Sequence, residues 1–139
     1  MAFLREVGAA VGGAGAALRG SWRASASAYN PAMLEITPEA VKAKLDAGEK
    51  LHLIDVREDQ ELAICSLPGA EHIPMMSLFL GLKKTAAAQD TPVVVICHHG
   101  IRSLEATQFL KMQGFEDVKS MSGGVDEWAR KVDPTLPRY

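Results

Sequence analysis

The chain has 139 residues, 47% of them hydrophobic, which is enough apolar material for one domain with a real core and too little length for two. Fifteen basic and seventeen acidic residues leave a formal charge of −2, so no global field favours nucleic acid or an anionic membrane surface. Two cysteines argue against a disulfide scaffold and suit a reducing compartment, so function must come from a local site.

Met1 to Tyr29 differs in kind from the rest. It is rich in Ala, Gly and Ser, carries Arg5, Arg19 and Arg23, and has Glu6 as its only acid, the composition of an organelle transit peptide. Mitochondrial import is the leading expectation. The apolar stretch from Val7 to Leu18 is too short to span a bilayer. As a secretory core ahead of Ala26-Ser27-Ala28 it is diluted by glycines and interrupted by Arg19 and Arg23. The alternative is a disordered extension of a cytoplasmic protein. Residues 1–33 are therefore expected as an N-terminal extension and residues 34–139 as the folded domain.

Thr37-Pro38-Glu39 reads as an N-cap, a proline in the first turn and an early acid. Val41 and Leu45 give a one-sided apolar stripe, and Gly48 stops the helix. Leu51 to Ile54 is a buried strand whose end places Asp55 at the carboxyl edge of a sheet. With Arg57, Glu58 and Glu61 behind it, Asp55 reads as part of a structural polar network rather than as a catalytic acid. Cys65 is followed by a turn at Pro68-Gly69-Ala70 and a short strand around His72-Ile73, closed by Pro74. Met75 to Ala88 is expected as one or two short helices over the sheet.

Val93 to Ile96 is β-branched and apolar without alternation, as in a strand buried on both faces of a parallel sheet, with Pro92 tolerable only at its start. From Ser103 the period becomes helical, with Ala106, Phe109 and Leu110 on one face and Gly114 as the stop. Cys97 thus leaves a central strand and faces a helix amino end, where open α/β sheets place their crevices. The backbone N–H groups of such a loop, with the helix dipole, cradle an anion, and thiolates gain nucleophilicity at neutral pH in that setting. Cys97 is the expected catalytic nucleophile. His98, His99, Gly100, Ile101, Arg102 and Ser103 are the expected substrate-binding residues, Gly100 for its conformational freedom and Arg102 for a planar fork suited to an oxyanion. A metal site on Cys97, His98 and His99 is not expected, because adjacent residues cannot surround one tetrahedral ion. Asp117 to Met121 can form a further strand, Ser122-Gly123-Gly124 a turn into a short helix with Trp128, and the two prolines of the tail exclude regular helix there.

Cys-x-x-Gly-x-Arg-Ser at 97–103, Leu-Ile-Asp-Val-Arg at 53–57, Leu-Pro-Gly-Ala-x-x-Ile-Pro at 67–74 and Gly-Gly-x-x-x-Trp at 123–128 occur in an order that resembles a single rhodanese domain. One departure is Cys65-Ser66-Leu67, where rhodanese domains commonly have Gly-His before this segment; it raises Cys65 as a resolving thiol. The tail resembles the endings of rhodanese domains fused to adenylating sulfur-transfer proteins. The resemblance implies an α/β fold with a five-stranded parallel sheet flanked by helices on both faces, the Gly-Gly turn beside the catalytic loop, and a sulfurtransferase carrying sulfane sulfur as a persulfide on Cys97.

The expected reaction moves sulfur from a small-molecule donor such as thiosulfate to a thiol or cyanide acceptor, with a protein donor or acceptor as a further possibility. No metal or organic cofactor is required, and the expected protein is a monomer without nucleic-acid or membrane partners. A non-catalytic binding module is the alternative, which loss of the loop cysteine would signal. Cysteine-dependent phosphatases and arsenate reductases share the nucleophile and arginine. The phosphatases place five residues between Cys and Arg, against the four of this chain, and the shorter loop better suits a single sulfur atom than a phosphoryl group.

Overall fold

The computed structural model describes residues 31–139, so the reading of Met1 to Tyr29 as a targeting segment lies outside the described residues. In chain order the elements are α1 (Pro31–Leu34), β1 (Glu35–Ile36), α2 (Pro38–Asp46), β2 (His52–Asp55), α3 (Asp59–Ile64), β3 (Glu71–His72), α4 (Met75–Phe79), β4 (Val93–Ile96), α5 (Ile101–Met112), β5 (Val118–Met121) and α6 (Gly124–Lys131). The strands form one five-stranded sheet in the order β1-β5-β4-β2-β3, parallel at every pairing.

β4 is central because all four of its side chains are apolar and both faces of the sheet are covered. Val93 and Val95, with Ile54 of β2 and Val118 of β5, pack on Leu78 of α4 and on Ala106 and Leu110 of α5. Val94 and Ile96, with Leu53, pack on Val41 of α2 and on Val125 and Trp128 of α6. The alternation of strand side chains therefore builds two cores, one under each helical layer. α2 starts as its sequence requires: Thr37 caps it by accepting from the Ala40 N–H at 3.2 Å, with Pro38 in the first turn.

The segment from Met75 to Ala88 yields one five-residue helix, within the one or two short helices expected, and Gly81 at φ +69° then turns the chain and leaves Leu80 and Leu82 exposed. Two elements differ from the sequence expectation. Helix α3 was not legible as a helix. Its signal is the pair three residues apart, in which the Glu58 N–H donates to Glu61 Oε2 at 2.9 Å. Helix α5 begins at Ile101 rather than Ser103, because Gly100 at φ +98° turns the chain straight from loop into helix.

Candidate active site

Cys97 follows β4 directly, and its residue is only 1% exposed. The Gly100 N–H donates to its Sγ at 3.0 Å, and Ser103 Oγ lies 3.3 Å away. A loop that returns its own N–H to the sulfur needs a left-handed residue three positions on, which is why Gly100 is there. The N–H groups of His98, His99, Ile101, Arg102 and Ser103 have no acceptor among the described residues. They are the orphan donors of a loop and a helix start, available to an anion.

The orientation of the loop is fixed from α6. The Val125 N–H donates to Cys97 O at 2.9 Å and the Asp126 N–H to His98 O at 3.1 Å. In a trans peptide the N–H points opposite the preceding carbonyl, so carbonyls held toward α6 turn the His98 and His99 N–H groups away from it. This contact requires Gly124: a Cβ there would lie 2.3 Å from both Cys97 O and His98 O. Gly100 packs less tightly but still closely, with its absent Cβ 3.0 Å from Gly123 N. The Gly-Gly turn thus sits beside the Cys97 loop, as the resemblance implied.

Arg102 requires a correction. Its fork is not open to a donor: Nη1 and Nη2 donate to Glu61 Oε2 and Oε1 at 2.7 and 2.8 Å. The pair is partly buried, with Arg102 32% and Glu61 17% exposed. The Arg102 guanidinium holds the Glu61 carboxyl down at about 2, outweighing the upward push of burial. Arg102 is itself raised, first by its hydrogen bonds to Glu61 and further by the Cys97 charge nearby. Arg102 therefore offers Cys97 a positive field while its donors are engaged by Glu61.

Behind Glu61 lies the network expected around Asp55. Arg57 is fully buried, and its Nε and Nη2 donate to the Asp55 carboxylate at 3.0 and 2.8 Å. Burial alone would lower Arg57, but the bonds to Asp55 and Tyr139 hold it above its ordinary value. Tyr139 Oη accepts from Arg57 Nη1 at 2.8 Å and donates to Glu61 Oε1 at 3.0 Å. Its ring stacks on His98 at 3.9 Å and 7°, and His98 meets His99 at 3.8 Å. The two histidines thus belong to a row of rings reaching the tail. Cys65 accompanies Arg57 in the core under α2 and α6, whereas Cys97 belongs to the core under α4 and α5, so the two thiols pack on opposite faces of the sheet. That placement gives no support to Cys65 as a resolving thiol.

Sequence reasoning assigned Glu61 to the Asp55 network rather than to the site, and left out Tyr139 and Ser120, whose Oγ lies 2.7 Å from Ser103 Oγ. Glu61 and Tyr139 reach the site only through the fold. Ser120 did leave a signal, since a hydroxyl in a buried strand must find a partner. A cavity of about 520 Å³ lined by Phe79, Phe109 and Phe115 shares no residue with the loop.

Three comparisons bear on this geometry. The chain is 36% identical over 97 residues to the thiosulfate sulfurtransferase GlpE of Vibrio cholerae, covering 70% of this chain and 89% of GlpE. It is 38% identical over 104 residues to the "Probable adenylyltransferase/sulfurtransferase MoeZ" of Mycobacterium tuberculosis, covering 75% of this chain but only 26% of MoeZ. The crystal structure of a rhodanese-like domain protein from Staphylococcus aureus superposes with a TM-score of 0.64 at 28% identity, over 77% of this chain and 99% of that one. The family model described as the Rhodanese-like domain matches residues 37–131, from α2 to α6 with four of the five strands and the Cys97 loop inside it, and the chain belongs to that family.

Proposed function

We propose that this protein is a sulfurtransferase that carries sulfane sulfur as a persulfide on Cys97. The observation that carries the reading is the Cys97 sulfur itself. It sits at the floor of a loop whose Gly100 N–H donates to it at 3.0 Å, with five further N–H groups of the loop and helix start left without acceptors among the described residues. With thiosulfate as donor, the Cys97 thiolate attacks the outer sulfur. The Sγ–S bond forms, the thiosulfate S–S bond breaks, and its electron pair leaves with sulfite. The free loop N–H groups hold the donor's oxyanion, and Arg102 adds a field that favours negative charge. Cyanide or a thiolate then attacks the carried sulfur, the Sγ–S bond breaks, and Cys97 recovers its pair as thiolate. Similarity to GlpE supports thiosulfate as the small-molecule donor, and similarity to part of MoeZ supports a protein donor or acceptor. The four-residue interval between Cys97 and Arg102 favours sulfur over phosphoryl chemistry. The protein acts as a monomer, and Met1 to Tyr29 directs it to mitochondria.

Intact-mass measurement tests the carrier. Incubation with thiosulfate adds the mass of one sulfur atom, and cyanide removes it. Cys97→Ser gains nothing, while Cys65→Ser behaves as wild type. Sulfur on Cys65 alone, or none on either cysteine, sinks the reading.

A further inference from the structure

Ser120 lies in β5 on the face that carries Val118, with its side chain fully buried. Its hydroxyl makes no use of the sheet. It lies 2.7 Å from Ser103 Oγ and 3.4 Å from Gly100 O, and Ser103 Oγ in turn lies 3.3 Å from Cys97 Sγ. The chain Gly100 O, Ser120, Ser103, Cys97 thus contains two hydroxyl protons and two different ends. A carbonyl accepts at one end. At the other is a sulfur that is a strong acceptor as thiolate and a weak one once bonded to a second sulfur.

We propose that Ser120 is a positioning residue for sulfur transfer that sets the direction of the Ser103 proton. When Sγ is charged, Ser103 donates to it and Ser120 donates to Ser103. When Sγ carries sulfur, both rotors turn back, Ser103 toward Ser120 and Ser120 toward Gly100 O. No heavy atom moves and no proton is transferred; two O–H bonds rotate. Hydrogen bonds in series polarise one another, so Ser120 strengthens the bond that Ser103 makes to the thiolate. This rests on the reading of Cys97 as the sulfur carrier.

The consequence is a pair of opposed rate effects. In the loading step the thiolate is the nucleophile, and stabilising it lowers its intrinsic reactivity. In the release step the same thiolate is the leaving group, and stabilising it speeds departure. Ser120 therefore favours release at the expense of attack. The charged and titratable groups around Cys97 are Arg102 of α5 with its partner Glu61 of α3, the Asp55–Arg57 pair, Tyr139, the loop's own His98 and His99, and Asp126 of α6 facing those histidines. Ser120→Ala changes none of them.

The test compares wild type with Ser120→Ala at an alkaline pH where alkylation of Cys97 by iodoacetamide no longer rises with pH. Ser120→Ala alkylates faster, while its Cys97 persulfide, mixed with cyanide, releases sulfur more slowly, each by about two- to threefold. Ser120→Thr, which keeps the hydroxyl, restores the release rate, and thermal melting confirms that each variant is folded. If Ser120→Ala does not fold, Ser120→Cys, with a weaker donor of similar volume, must show the same opposed pair. Both rates falling together, or neither changing, overturns the proposal, because a merely structural role does not split the two steps. If wild type loads no sulfur at all, the carrier reading fails instead, and the alkylation rate still reports on Ser120.

Discussion

At Arg102 a residue legible from the sequence has a partner that was not. The Cys97 to Arg102 spacing places a cation beside the sulfur, but Glu61, 41 residues earlier in the chain, arrives only through the fold and closes the guanidinium fork. Arg102→Ala removes the cation and leaves the Glu61 carboxylate facing an anionic donor. In steady-state assays kcat/KM for thiosulfate falls about tenfold, or about 1.4 kcal/mol. Adding Glu61→Gln to Arg102→Ala recovers part of that loss, because the remaining repulsion is removed; the non-additivity is the signature of the pair. Glu61 also gives stability a pH dependence. Its folded value of about 2 lies below its ordinary 4.5, so the unfolded chain binds the proton more tightly. The contribution is complete above 4.5 and is lost as pH falls toward about 2. Urea melts between pH 6 and pH 2.5 show a steeper decline for wild type than for Glu61→Gln. Tyr139 escaped for the same reason as Glu61: each meets the loop through space, and local pattern carries no register; the buried-strand hydroxyl of Ser120 was a signal, but not one that names its partner.

At the scale of elements, the site is a strand end held between the starts of two helices. The loop and the start of α5 supply the unpaired N–H groups, and α6 takes the loop carbonyls. The strand and the first of these helices could be read directly, because an unbroken apolar run and a change of period are local properties. The Gly-Gly turn could be read as a motif, but its reason could not. Gly124 is required because it lets one backbone touch another. Gly124→Ala places a methyl group 2.3 Å from two carbonyl oxygens at φ +61°. It lowers stability by about 2 to 4 kcal/mol in urea unfolding and abolishes persulfide formation. Gly69→Ala is the control: φ is +80°, nothing lies within 4 Å, and the cost is the backbone strain alone, about 1 to 2 kcal/mol, with sulfur transfer retained. Helix α3 went unread because its six residues show no apolar stripe and bury none of their side chains fully.

For the whole molecule, the sheet order β1-β5-β4-β2-β3 puts the strand that leads into Cys97 in the middle and pairs the first strand with the last. That architecture was legible as a class, from the apolar strands and from the motif order. Deleting Met1 to Tyr29 leaves melting temperature and sulfur transfer unchanged, because the segment has no periodic apolar pattern to pack. Fused to a fluorescent reporter in a eukaryotic cell, the same segment sends it to mitochondria; diffuse cytosolic fluorescence removes the targeting proposal and leaves the chemistry untouched. The clamp on the loop has a further meaning in time. A chain growing from its amino end produces Cys97 before Ser120, Gly123, Val125 and Asp126 exist. Until they emerge, no donor holds the Cys97 and His98 carbonyls toward α6, and no hydroxyl stands behind Ser103. A product cut short before α6 therefore carries the cysteine without the clamp that shapes its loop.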